Sequence, residues 1–73
     1  MLRALLVRSY GLLTPARRKL LFPGWDVLAY GGRFTKTYDV IVVAFLEDTQ
    51  REIEWVEEAE TYLRRGGKLI RTT

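Results

Sequence analysis

The run Asp39-Val40-Ile41-Val42-Val43-Ala44-Phe45-Leu46 constrains this chain more than any other stretch. Seven apolar residues come after one acid without interruption, and Val40, Ile41, Val42 and Val43 are all β-branched. A strand wet on one face alternates apolar with polar residues. An unbroken run predicts a strand covered on both faces, as at the centre of a parallel sheet. The run is far shorter than the roughly 20 residues a membrane-spanning helix needs.

The residues after the run predict a helix. Thr49 and Glu52 have capping-box spacing, with Asp48 as an alternative cap one residue earlier. Ile53, Val56, Ala59 and Leu63 recur at helical period, Trp55 and Tyr62 widen that stripe, and Glu54, Glu57, Glu58 and Thr61 face away. The helix is expected to run to a Gly66-Gly67 stop, with Arg64-Arg65 at the negative end of its dipole. Lys68 to Thr72 then reads as a short, charged edge strand. Together these make a βαβ unit.

The first half of the chain looks like a second, looser unit. Leu2 to Arg8 reads as a strand. Thr14-Pro15 pairs a hydroxyl N-cap with proline at the first helical position, and Pro23-Gly24 ends that helix after about Leu21. Trp25 to Tyr30 is the next strand, broken by Gly31-Gly32. The connector onward to Tyr38 is shorter than an ordinary parallel crossover. Either the two strands form a hairpin or the connector runs over the end of the sheet. The expectation is one domain over residues 1–73, in β-α-β-β-α-β order. Its four-stranded sheet is largely parallel and Rossmann-like, with two helices. A ferredoxin-like α+β fold with an antiparallel sheet has the same element order.

Composition enters where it limits function. A 73-residue chain buries only about 60% of its unfolded surface. Such a domain often completes its core on a partner or a second copy. With no cysteine and no histidine, thiolate and imidazole chemistry is excluded. Residues 1–38 carry +6, residues 39–63 carry −7 and the remainder +4, which predicts surfaces of opposite sign. The acid-free, Arg-rich first 25 residues loosely resemble a mitochondrial presequence. Removing them would leave about 50 residues, short for an independently stable domain.

The segment Tyr38-Asp39-Val40-Ile41-Val42-Val43, with Tyr62-Leu63-Arg64-Arg65-Gly66-Gly67-Lys68-Leu69-Ile70, resembles the fourth-strand region of class I methyltransferases. The likeness covers about half the chain. No Gly-x-Gly loop comes after the first strand, where Ser9-Tyr10-Gly11 stands, and the shared pattern reads as a common packing solution.

Ligands of open parallel sheets sit beyond the carboxyl ends of the strands. That edge is expected to gather Ser9, Tyr10, Tyr30 to Arg33, Glu47, Asp48 and the last threonines. Glu47 and Asp48 read as acids of a first helical turn. No catalytic, metal or cofactor residues are assigned. The stretch Tyr30 to Tyr38 interleaves cations with aromatics, a mixture that single-stranded nucleic-acid binders use. Its alternative role is to fold Phe34 and Tyr38 back over an open sheet end.

Two functional readings fit these features. The first is a non-enzymatic, cytoplasmic regulator of the size viruses and mobile elements encode, with no membrane contact and a weak homodimer. It would bind a larger protein through Glu54, Glu57 and Glu58. The second is a nucleic-acid-binding protein using Arg17, Arg18, Lys19, Tyr30, Arg33, Phe34, Lys36, Arg64 and Arg65.

Overall fold

The computed structural model describes residues 1–11, 13–44 and 46–72. In chain order they form β1 (Arg3–Val7), α1 (Pro15–Leu21), β2 (Trp25–Ala29), β3 (Tyr38–Val43), α2 (Gln50–Glu60) and β4 (Leu63–Arg71). Leu12, Phe45 within the apolar run and the final Thr73 lie outside the described residues. The four strands make one sheet in the order β2-β1-β3-β4, and every neighbouring pair is parallel. The result is a small α/β domain. The antiparallel ferredoxin-like alternative and the hairpin between the second and third strands do not occur.

The reason lies in the connector over residues 30–37. An extended chain gains about 3.3 Å per residue, so eight residues return along a strand and step across an intervening one without a helix. Right-handed connections dictate its side of the sheet. The steps β2 to β3 and β3 to β4 run in one direction and β1 to β2 in the other. The connector and α2 therefore share one face, and α1 takes the opposite face.

Packing agrees with this. On the α2 face, Ala4, Leu6, Ile41 and Val43 meet Phe34, Tyr38, Trp55, Val56 and Ala59 in one buried cluster. Phe34 is held between rings, 5.4 Å from Trp55 and 5.1 Å from Tyr62 between centroids. The Trp55 indole N–H donates to the Gly32 carbonyl at 3.2 Å, tying helix to connector. On the α1 face, Leu5, Val7 and Ala44 are buried against Phe22, Trp25 and Val27. Val40 and Val42, however, are only half-buried there. The apolar run is thus sealed on one face and partly open on the other, because α1 is too short to reach over β3.

Local signals set the helix starts. The Thr14 hydroxyl accepts the Arg17 N–H at 3.2 Å, with Pro15 at the first helical position. At α2 the full capping box forms: Glu52 N–H to the Thr49 hydroxyl at 3.2 Å, and Thr49 N–H to the Glu52 carboxylate at 3.1 Å.

The end of α2 departs from expectation. The helix stops at Glu60, where the Thr61 hydroxyl donates to the Glu58 carbonyl at 2.6 Å. One residue later the Tyr62 carbonyl already accepts from the Tyr38 N–H at 2.7 Å. Stacking of Tyr62 on Phe34 draws the chain into the sheet early. Arg64-Arg65 therefore sits inside β4, not at a helix end, and Gly66-Gly67 caps nothing. Between the pairs Tyr38–Leu63 and Val40–Lys68, β3 advances two residues and β4 five, so Arg64 to Gly67 bulge outward. A β-carbon on Gly67 would lie 2.9 Å from the carbonyl oxygens of both Arg64 and Asp39, so only glycine fits.

Residues 1–25 contain β1, which lies between β2 and β3. Their removal would take an interior strand out of this sheet.

Candidate functional site

The carboxyl edge of the sheet brings together most of the residues expected there. Arg8, leaving β1, pairs with Glu47, leaving β3. Asp48 adopts φ +56 and pairs with Arg71 at 3.0 Å, so it braces β4 instead of capping α2. The Thr72 hydroxyl donates to the Val43 carbonyl at 3.0 Å. Glu52 is buried, and its carboxylate accepts from the N–H groups of Glu47 and Thr49 and from the Thr49 hydroxyl, each at 3.1 Å. Burial alone pushes its pKa upward. The hydrogen bonds from Thr49 and Glu47, with the Arg8 charge, outweigh that and hold it below the ordinary glutamate value.

Each acid at this edge is therefore already engaged. A cleft of about 230 Å³ lies between Arg8, Ser9, Tyr30, Thr49 and Arg51, but its one buried carboxylate points its charge into a helix cap. Among the described residues, no three acidic side chains converge as a cation site would require. What this edge does is lock β1, β3, β4 and α2 together.

A second polar constellation was not visible in the sequence. The Tyr38 hydroxyl donates to the Asp26 carboxylate at 2.7 Å, and the Lys36 ammonium lies 3.3 Å from the same oxygen. Ala4, between Asp26 and Ile41 in the register, has only a methyl group, which leaves room for the ring. Burial, then the Asp26 hydrogen bond and charge, pushes the Tyr38 phenol up to about 12. The contact joins residues twelve positions apart on strands that are not neighbours, so no local pattern marked it.

The acidic residues proposed from sequence to meet a partner, Glu54, Glu57 and Glu58, all lie exposed on one side of α2. Gln50 donates to Glu54 at 3.3 Å. Beside them Tyr30, 41% exposed, rests edge-on against Trp55 at 5.6 Å, forming an acidic, aromatic-floored shelf.

The residues proposed to bind nucleic acid do not form one surface. Arg17, Arg18 and Lys19 lie on α1, on one side of the sheet. Tyr30, Arg33, Phe34 and Lys36 lie on the connector, on the other side. Arg64 and Arg65 lie in the β4 bulge. Phe34 is 7% exposed, so its ring cannot stack on a base while the core is closed. Lys36 is held by Asp26, and Arg64 by Asp39 at 3.9 Å and by the Thr37 hydroxyl at 3.3 Å. Arg18 donates to the Leu13 carbonyl at 2.9 Å and covers the Tyr10 ring at 4.1 Å. Phe34 and Tyr38 instead seal the sheet, the other role the sequence left open.

The feature sequence reasoning missed is the outer surface of α1. No residue of α1 is buried, and Leu20 and Leu21 are 78% and 58% exposed. A groove of about 350 Å³ runs along the same helix, lined by Pro15, Arg18 and Lys19 of α1 with Phe22, Trp25 and Val27. The signal was present in the bunched apolar end of the helix, Leu20-Leu21-Phe22, which has more apolar surface than one short turn can bury. No helix among the described residues is long and apolar enough to cross a membrane. No protein-family model, curated protein or solved structure matches the chain.

Proposed function

We propose that this chain is a small non-enzymatic interaction module that binds and modulates a larger protein. The observation that carries this reading is α1, a helix that buries none of its own residues and holds the adjacent Leu20 and Leu21 in water. Isolated exposed leucines are ordinary, but an adjacent apolar pair on a helix that also lines a groove with Arg18 and Lys19 supports a docking surface. Glu54, Glu57 and Glu58, on the opposite side of the sheet, supply a second contact for a basic partner. The sheet reads as a shortened Rossmann-like arrangement; what supports this is the reversal of strand order about β1 and β3, with a helix on each face. In this reading the carboxyl edge, where such sheets hold ligands, serves stability. A chain without cysteine suits a reducing compartment, and we place it in the cytoplasm. Its size is that of regulators encoded by viruses and mobile elements.

The test is capture from lysate by parent and by Leu20→Asp/Leu21→Asp, with quantitative mass spectrometry. Both side chains are exposed, so the variant should melt within a degree or two of the parent while losing the captured protein. Equal capture by the two would remove α1 from the proposal. Nucleic acid as the captured species, lost steeply with salt, would replace this function with the second reading.

A further inference from the structure

Both outer strands of the sheet end in water, but only one is open. In β2 the hydrogen bond from Tyr30 N–H to the Val7 carbonyl, with the register Leu5–Val27, turns Trp25, Val27 and Ala29 outward. That row is obstructed. Trp25 N–H donates to Phe22, the Ala29 carbonyl accepts from Gly32, and the Val27 carbonyl accepts from the Tyr10 hydroxyl at 3.4 Å. Arg18 covers the Tyr10 ring, so the phenol shields the middle of the edge. In β4 the bond from Thr72 N–H to the Val43 carbonyl, with the register Val42–Ile70, turns Leu69 and Arg71 outward. Among the described residues, no other segment bonds to the backbone of Leu69 or Arg71. The Gly67 bulge ends this free row on one side, leaving Lys68 to Thr72, about 17 Å of strand at 3.3 Å per residue.

We propose that the β4 edge takes up an extended, acidic peptide segment of a partner protein as a fifth strand. Backbone pairing supplies affinity in such strand addition, and alternate side chains supply selection. Along this edge Lys68 and Ile70 share one face, while Arg71 lies on the other. Ile70 is 46% exposed and offers an apolar contact to the residue paired beside it. The edge carries Arg64, Arg65, Lys68 and Arg71 against Asp39 and Asp48, an excess of cations. A second copy pairing there would bring two such edges together and double the positive charge, whereas carboxylates on the incoming strand neutralise it. The surface is separate from α1, so either proposal can fail alone.

The experiment is an amide NMR titration of the full chain with the capped peptide Glu-Val-Glu-Thr-Glu-Val-Glu. Two controls accompany it: its Lys-for-Glu counterpart, and a copy N-methylated at alternate amides. Saturable shifts centred on residues 68–72, with slowed exchange of the Leu69 and Arg71 amides, are expected. Binding at least tenfold weaker is expected for both control peptides and for Lys68→Glu/Arg65→Glu, whose side chains are exposed. Four results would overturn the proposal. One is no shift at millimolar peptide, and another is equal binding of the N-methylated peptide. A third is shifts spread equally over α1 and β4, which marks unspecific charge attraction. The fourth is β4 amide shifts that track protein concentration without peptide, which gives the edge to a second copy.

Discussion

Replacing Tyr38 with phenylalanine isolates a part-buried hydrogen bond that ties β3 to the outer strand β2. The ring would stay in the core, where Tyr38 is 2% exposed. Only the donation to Asp26 at 2.7 Å would be lost. The rise of the phenol from 10 to about 12 comes first from burial and only then from Asp26, so it does not measure the bond itself. A hydrogen bond to a charged group contributes about 1.5–3 kcal/mol. Asp26 is 38% exposed along its side chain and also meets Lys36, so water and the ammonium screen part of that. A charge-assisted bond of about 1.5–2 kcal/mol remains. For a domain this small, each kcal/mol moves the midpoint by about 4–8 °C. Tyr38→Phe should therefore melt about 6–16 °C lower at pH 7.

The pH dependence carries the stronger test. A phenol whose folded pKa is raised contributes its full stability below the unfolded value of about 10. The contribution is lost as pH climbs from there through about 12. The stability gap between parent and variant should be constant up to about pH 9.5 and close toward pH 12. Denaturant titrations monitored by fluorescence of Trp25 and Trp55 measure it. A gap near zero at pH 7, or one unchanged at pH 11.5, would refute the assignment of this bond.

Other substitutions probe the remaining framework. Glu52→Gln should lower stability at pH 7 by weakening the α2 cap. It should also flatten the acid limb, because a carboxylate held below its ordinary range stabilises the fold at neutral pH and loses that as pH falls through its lowered folded pKa; urea melts from pH 7 to pH 3 check both. Thr14→Ala should cost about 1 kcal/mol through the lost N-cap of α1, while Thr35→Ala, exposed in the connector, should cost little in the same melts. Ile41→Asp should abolish cooperative unfolding, since Ile41 is fully buried and an unpaired charge cannot be accommodated there. Val42→Asp, half-exposed on the α1 face, should be weakened yet still fold.

That last contrast shows where sequence reasoning stopped. The run from Val40 to Val43 has no polar residue to mark one side as wetter, so it read as sealed on both faces. Whether a seal exists depends on what lies over each face, and α1 is a seven-residue helix that ends before reaching β3. The starts of both helices were legible because caps are local: Thr14 with Pro15, and Thr49 with Glu52, fix the chain within four residues. The end of α2 was not, because the competition at Thr61 and Tyr62 is decided by Phe34 and Tyr38, more than twenty residues away. The same contacts route the connector over β1. Glycine pairs misled in one place, as Gly66-Gly67 serves a bulge whose partner carbonyl belongs to Asp39 on another strand. The acids Glu47 and Asp48 were expected at the carboxyl edge and lie there. Their partners Arg8 and Arg71 come from strands whose adjacency no local pattern gives.

The split in charge has a geometric consequence for self-association. Arg3, Arg17, Arg18, Lys19 and Lys68 lie on the α1 side of the sheet, and Glu54, Glu57 and Glu58 on the α2 side. Contact between unlike faces joins the front of one molecule to the back of the next. A two-fold dimer needs the same patch on both members, so this contact leaves a free basic face and a free acidic face at each end. The weak homodimer expected from the sequence, through the edge of the last strand or through basic-to-acidic contact, would in the second case extend as an open head-to-tail series. Sedimentation equilibrium at low ionic strength should show an average mass that keeps rising with concentration, without levelling at twice the monomer. About 0.5 M salt should return it to monomer, because exposed charges are screened within a few ångströms there. A mass that levels at the dimer and survives that salt would refute charge as the cause and point to pairing of β4 edges instead.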